Sequence, residues 1–287
     1  MKRPVILLTG AAGQLGFELA RLLRAHGEVE ALDRAALDLA DADAVVAAMR
    51  RVRPQIIVNA AGYTAVDRAE NEPELADAIN TRAPAVLAEE AKRLDALLIH
   101  YSTDYVFDGN SREPYREEDQ ASPLNVYGRS KLAGERAITA AGAAHLILRT
   151  SWIYGLHGQN FLLTMRRLAA TRDELRVVSD QFGVPNWSRA LAEATASLVS
   201  RGAAALAKKT GIYHLSGRGR ASWFDFARAI FEGADRPRVV AITTAEYPTA
   251  ARRPASAVLA TDKFEAAFGF ALPDWRETLA ACKATTV

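Results

Sequence analysis

Tyr127 and Lys131 stand four residues apart in Tyr127-Gly128-Arg129-Ser130-Lys131, and the stretch continues through Leu132, Ala133, Gly134 and Glu135 without a proline. On a helix this spacing puts the phenol and the ammonium on one face. A free phenol ionises near a pKa of about 10. A neighbouring ammonium stabilises the phenolate, so Lys131 is expected to lower that value and make Tyr127 a proton donor near neutral pH. Thr103 ends the apolar run that leads into His100-Tyr101-Ser102-Thr103-Asp104. Its hydroxyl is a candidate to hydrogen-bond a substrate carbonyl oxygen and to share its proton with Tyr127. Asp104 is expected to orient a sugar or a hydroxyl network. Each residue alone has an ordinary reading: an exposed helix pair, a strand-end threonine, an Asx turn. Their combination with a nucleotide-type turn gives them direction.

That turn lies in Val5-Ile6-Leu7-Leu8-Thr9-Gly10-Ala11-Ala12-Gly13-Gln14-Leu15-Gly16, between an apolar run and a helical stretch. Gly10 suits a tight turn, Gly13 a close approach of backbone to a pyrophosphate, and Gly16 close helix–strand packing, with helix amides facing the anion. Asp33 follows the second apolar run, where a carboxylate accepts hydrogen bonds from ribose hydroxyls and favours NADH. Its neighbour Arg34 suits a 2′-phosphate and NADPH, which leaves the cofactor preference open. Asp38 and Leu39 are candidates for the adenine side.

The elements that must hold these groups alternate. Strands are expected at Val5 to Thr9, Val29 to Leu32, Gln55 to Asn59, Leu97 to Tyr101 and His145 to Arg149. Helices are expected at Leu15 to Ala25, Ala42 to Val52 (capped by Asp41) and Glu74 to Leu94. Strands that are apolar throughout, rather than alternating, belong in a parallel sheet covered on both faces. The fold class is therefore α/β, a Rossmann-type doubly wound sheet. Beyond about Asp180 prolines punctuate shorter elements, so residues 1–180 are assigned to the dinucleotide-binding domain and 181–287 mainly to a smaller substrate-binding lobe. That lobe is expected to hold helices at Ser188 to Leu206, Ser222 to Phe231 and Trp275 to Cys282, with a short strand at Ile212 to Leu215.

The chain has 287 residues, with 36 basic against 34 acidic side chains and a formal net charge of +2, and 49% of its residues are hydrophobic. That balance supplies a core and excludes the basic stripe of a nucleic-acid binder. The lone Cys282 is expected to fill apolar space in a terminal helix. Neither a secretory signal nor a membrane anchor is visible, so the cytoplasm is the expected compartment.

These residues resemble the extended short-chain dehydrogenase/reductase group and, within it, the dTDP-4-dehydrorhamnose reductases. The resemblance spans nearly the whole chain. It rests on the glycine turn, on Asn59-Ala60-Ala61-Gly62-Tyr63-Thr64-Ala65-Val66-Asp67, on Tyr101-Ser102-Thr103-Asp104-Tyr105-Val106-Phe107, on Ser122 through Lys131, and on Arg149-Thr150-Ser151-Trp152-Ile153-Tyr154-Gly155. It implies hydride transfer from NADPH or NADH to the 4-keto carbon of a dTDP-linked 4-keto-6-deoxy sugar, with Tyr127 protonating the alkoxide and Lys131 holding the nicotinamide ribose. By matching position, Gly13, Gln14 and Leu15 line the pyrophosphate, Asp33, Asp38 and Leu39 the adenosine, and Gly62, Tyr63, Thr64 and Tyr101 the rest of the cofactor cleft. Trp152 is placed on the sugar and Arg253 near the nucleotide diphosphate. The resemblance also raises a magnesium-bridged dimer through Glu18, but Arg189 stands where the second carboxylate belongs. An arginine cannot ligate a cation, so no metal is expected and the chain is assigned as a monomer or homodimer. Competing readings are a dehydratase, weakened because Tyr105 replaces the acidic residue after Thr-Asp, an epimerase, and a noncatalytic regulatory subunit, weakened by the joint presence of Thr103, Tyr127 and Lys131.

Overall fold

The computed structural model describes residues 3–235 and 237–285. Each early apolar run becomes a parallel strand: β1 (Val5–Thr9), β2 (Glu28–Leu32), β3 (Ile56–Asn59), β4 (Leu97–Thr103) and β5 (His145–Thr150). Across the sheet the order is Gly211–His214, β5, β4, β3, β1, β2. The chain runs outward from β1 to β2 and then returns to β3 on the other side of β1. This reversal opens a crevice at the carboxyl ends of β1 and β3, where doubly wound sheets bind ligands.

Side-chain alternation along the strands decides what faces each layer. Leu97, Ile99 and Tyr101 join Ile6, Leu8, Ile56 and Val58 in the core beneath α1 (Gln14–Leu22) and the helix Ser188–Val199. Leu7, Ile57, Leu98 and Ile147 join the opposite core, under α2 (Ala42–Val52) and the helices Ala83–Leu94 and Val126–Ala141. Even-numbered positions of β4, including His100 and Ser102, therefore face the helix that carries Tyr127 and Lys131. Asp41 caps α2 by accepting from the Ala44 amide. The helix Val126–Ala141 is capped by Asn125, which accepts from the Gly128 amide at 2.8 Å.

Two expectations are corrected and one is refined. The strand expected in the second lobe runs Gly211–His214 and pairs in parallel with β5 in the main sheet. Ile212 and Tyr213 fill opposite cores there, a nonlocal pairing that local sequence texture does not reveal. The helix expected over Glu74 to Leu94 is present and runs without interruption from Pro73–Asp77 through a π-helical turn at Ala78–Arg82 into Ala83–Leu94. The helix expected over Ser188 to Leu206 ends at Val199, with Ala203–Ala207 as a separate turn.

A second core gathers Tyr154, Leu162, Leu175, Val177, Trp187, Phe226, Trp275 and Cys282 from beyond β5. The parallel pair Glu174–Val178 with Arg238–Ile242 belongs to this region, as do the helices Phe161–Ala169, Trp223–Ile230 and Trp275–Ala284. Cys282 is fully buried, and burial pushes its thiol up to about 11. Among the described residues no helix is long and apolar enough to cross a membrane.

The helix bearing Tyr127 is held to the sheet by a buried ion pair. Arg149 of β5 donates to Glu135 through Nε at 2.9 Å and Nη2 at 2.6 Å, and Ser102 adds a third bond to Glu135 at 2.5 Å. Removing one member of such a pair leaves an uncompensated buried charge. Arg149→Met is therefore expected to cost about 3–5 kcal/mol, read as a lower urea midpoint at neutral pH. A midpoint within error of the wild type would contradict this assignment.

Candidate active site

A Cβ on Gly16 would lie 1.9 Å from the Gly10 carbonyl oxygen, so α1 begins directly against the turn that leaves β1. Gly10 itself has φ +74°, a conformation that side chains rarely adopt. The first amides of α1 thereby stand at the crevice. Leu15 is buried behind them, and the buried Gln14 Oε1 has no hydrogen-bond partner among the described residues. His157 reaches over from the segment beyond β5, donating to the Ala12 carbonyl at 3.1 Å while its ring stacks on Phe17.

Asp33 leaves β2 beside the turn, since the Ala11 amide bonds to Leu32 O at 3.1 Å. Its Oδ1 accepts from the Ala36 amide at 2.9 Å, and Arg34 is exposed next to it. Asp38 closes a local turn onto the Ala40 amide at 3.0 Å, and Leu39 is buried with Leu32 and Leu37. Gly62, Tyr63 and Thr64 follow β3. The Tyr63 amide donates to Asn80 Oδ1 at 2.9 Å, its hydroxyl donates to Glu72 at 2.6 Å, and Thr64 is exposed.

Thr103 ends β4 and faces Tyr127, where its hydroxyl favours the charged form of the phenol. The Tyr127 ring also meets Tyr105 edge-on at 5.7 Å. The expected lowering of the phenol by Lys131 is absent from this arrangement. Burial instead pushes Tyr127 up to about 12, against the opposing effect of the Thr103 hydroxyl. Lys131 turns into the sheet: its Nζ donates to Tyr101 O at 2.6 Å and lies 3.2 Å from His100 Nε2. Burial lowers Lys131 to about 8, with the Glu135 carboxylate pulling the other way. Tyr101 contributes that carbonyl, but its side chain points to the opposite core and bonds to Thr195.

Asp104 is buried, with Oδ1 accepting from Thr103 at 3.0 Å and Oδ2 unpartnered among the described residues. Burial raises its carboxyl to about 7. Trp152 has φ +40°, a strained value for a bulky residue, and its indole stacks on Trp223 at 3.6 Å and 9°. One face of the ring is thus already covered by protein. A Cβ on Gly183 would come within 2.6 Å of the indole, so only glycine fits there. Arg253 is engaged with Asp67 at 2.9 and 3.3 Å, rather than open on a loop. The Ala251 amide also donates to Asp67, and Asn125 donates to Arg252 O at 2.8 Å. The loop holding Arg253 is thereby clipped to the start of the Tyr127 helix.

Several contributors escape the sequence reading. Asn80 hides in the π-turn, where it donates to Tyr63 O and Ser130 Oγ, each at 3.0 Å. Asp67 lies inside a quoted motif without a role, and Trp223 has no local signature. His100 is announced only by strand alternation. Glu18 pairs with Arg21 at 3.7 Å and Arg189 with Glu193 at 3.0 Å. Among the described residues no group of three His, Cys, Asp or Glu side chains is placed to hold a metal.

A parallel sheet with a glycine turn after its first strand and a Tyr-x-x-x-Lys helix beside its fourth defines the short-chain dehydrogenase/reductase class. The family model "RmlD substrate binding domain" matches residues 3–287. A dTDP-4-dehydrorhamnose reductase of Burkholderia thailandensis is 44% identical over 289 residues, covering 96% of this chain and 97% of that one. The enzyme of that name from Escherichia coli K12 is 45% identical over 282 residues, covering 94% of each. The crystal structure of dTDP-4-dehydrorhamnose reductase from Bacillus anthracis in complex with NADP superposes with a TM-score of 0.93 at 35% identity, covering 100% of both chains. The chain belongs to the RmlD family, that of the dTDP-4-dehydrorhamnose reductases.

The raised value of Asp104 means that the folded chain holds its proton more tightly than the unfolded chain. The resulting stabilisation is fully present below about pH 4 and is lost as the pH rises to about 7. Asp104→Asn is expected to abolish this loss, a difference of at most about 4 kcal/mol, and so to be relatively more stable than wild type at pH 8 than at pH 4. Parallel stability curves over that range would refute it. EDTA is expected to leave the sedimentation coefficient unchanged, and dissociation on adding chelator would contradict the expectation that no metal bridges two copies.

Proposed function

We propose that this chain reduces the 4-keto group of dTDP-4-dehydro-6-deoxy-L-mannose to give dTDP-L-rhamnose, using NADPH or NADH. The observation that carries the reading is the pairing of Tyr127 with Thr103 at the carboxyl edge of the sheet, beside the glycine turn, in a chain of this family. Bound NAD(P)H supplies the hydride. Gly13, Gln14 and Leu15 would hold its pyrophosphate at the start of α1, Asp33 and Arg34 would meet the adenosine ribose, and Gly62 with Tyr63 would border the cleft after β3. The close glycine packing and the orphaned Gln14 oxygen fit such a ligand.

The chain's own chemistry is proton placement. Thr103 and Tyr127 converge on the sugar carbonyl oxygen, and Tyr127 gives its proton to the alkoxide as the negative charge develops. Burial keeps the phenol protonated at rest, which is the form that donates. Lys131, in its cationic form, stabilises the phenolate left behind. The free Oδ2 of Asp104 is an acceptor for a sugar hydroxyl. Trp152, braced by Trp223, limits the sugar on one side, and Arg253 with Asp67 bounds the nucleotide side.

Purified protein is expected to oxidise NADPH or NADH only when the dTDP sugar is present, followed by loss of reduced-nicotinamide absorbance, with product stereochemistry read by NMR. Tyr127→Phe is expected to lower kcat by about 10²–10⁴ with the fold intact. If wild-type protein shows no sugar-dependent oxidation with either cofactor, this function is wrong.

A further inference from the structure

His100 is a buried titratable side chain with no part in the proton placement above, and the hydrogen bonds around it determine where its own proton sits. Thr9, Asn59 and His100 are neighbours in register across β1, β3 and β4 and are at most 1% exposed. The Ala61 backbone amide donates to Asn59 Oδ1 at 3.2 Å, and the Thr9 hydroxyl donates to the same atom at 2.7 Å. A backbone N–H has nothing to accept with, so this atom must be the carboxamide oxygen. The carboxamide nitrogen must then face His100, whose Nδ1 lies 3.0 Å away. An amide NH2 donates only, so Nδ1 is the bare acceptor and the ring proton resides on Nε2.

Nε2 lies 3.2 Å from Lys131 Nζ, which also donates to Tyr101 O at 2.6 Å. If Lys131 is an ammonium, this contact sets donor against donor. A neutral amine resolves it by accepting the Nε2–H on its lone pair while still donating to Tyr101 O. We propose that His100 is a positioning residue that presents an N–H to Lys131 and biases it toward the neutral amine, so that the chain Thr9, Asn59, His100 sets the proton affinity of Lys131 from within the sheet. The consequence for turnover rests on the reductase reading; the placement of the proton does not.

The charged and titratable groups around the pair are consistent with this assignment. Glu135, on the same helix and paired with Arg149 of β5, favours the ammonium. Burial outweighs it and lowers Lys131. His100 itself is driven well below the imidazole range by burial, so the ring stays neutral. β1 and β3 face the pair with the neutral Thr9 and Asn59. On the site's other flank stand Tyr127 and Asp104.

Two measurements on the full-length protein test this. With 15N-labelled histidine and no cofactor, long-range proton–nitrogen spectra are expected to show His100 protonated at Nε2, the resonance being assigned by its loss in His100→Gln. A ring protonated at Nδ1 overturns the proposal. Should His100→Gln fail to fold, Asn59→Asp gives the complementary reading: a carboxylate accepts from Nδ1–H and should switch the tautomer, and failure to switch overturns the proposal. In turnover, the side-chain oxygen of His100→Gln accepts from an ammonium. The alkaline limb of kcat/KM is therefore expected to move up by about one pH unit. A lower kcat with the limb unmoved marks a purely structural role and overturns the proposal. Absence of turnover in wild type sinks the reductase reading alone, because the tautomer is read without activity.

Discussion

The Glu135–Arg149 pair fixes the geometry on which everything at the sheet edge depends. Tyr127, Lys131 and Glu135 recur every four residues on one helix, so anchoring Glu135 at one end sets the rotation of the helix for the other two. Its partner, Arg149, lies in register with Ser102, one residue before Thr103. One buried carboxylate therefore couples the helix to both strands that deliver the site. Such a pair contributes little net stability compared with apolar packing, because desolvating two charges offsets most of their attraction. What it contributes is position: a one-turn slip of the helix would leave both charges buried and alone. Close packing elsewhere on the helix reinforces the constraint, since a Cβ on Gly134 would sit 2.1 Å from Asn80 O.

Local features of the fold were legible because they are written in local physics. The apolar runs of β1, β3, β4 and β5 need cover on both faces, and the glycine turn needs close backbone approach, so the doubly wound sheet follows from the sequence itself. Pairing across long sequence separations was not legible. Gly211–His214 follows the short turn Ala203–Ala207 and precedes the helix Trp223–Ile230, and nothing near it specifies β5 as its partner. The π-turn that places Asn80 differs from an α-helix by one extra residue, and helical periodicity does not resolve that difference.

The site was legible in its residue types and less so in their directions. Tyr127 and Thr103 meet at the sheet edge, but the side chain of Tyr101, assigned to the cofactor cleft by resemblance, turns away, and His100, given no role, faces Lys131. Alternation along β4 sends the tyrosine side chain into the apolar core and the histidine toward Lys131. Trp152 and Arg253 were placed by resemblance alone, and each turns out to be held by a partner invisible to local pattern, Trp223 and Asp67 respectively. The Arg253–Asp67 contact ties a late segment of the chain to the region after β3. The loop with Arg253 reaches the cap of the Tyr127 helix, and the segment with His157 reaches the glycine turn.

Burial acts on Tyr127 and Lys131 in the same sense, favouring the uncharged form of each, and this bears on which direction the chemistry runs. A phenol raised to about 12 is a reluctant acid in isolation, yet it is fully protonated at neutral pH and ready to donate. The alkoxide that forms on carbonyl reduction is a stronger base than a phenolate, so on the proposed reading proton transfer from Tyr127 is downhill. Oxidation would need the phenolate at the outset, and here desolvation opposes that form. A buried Tyr127 beside a lysine of lowered proton affinity thus suits carbonyl reduction better than its reverse. The sheet interior brings this about by excluding water from both groups, without any further charged residue.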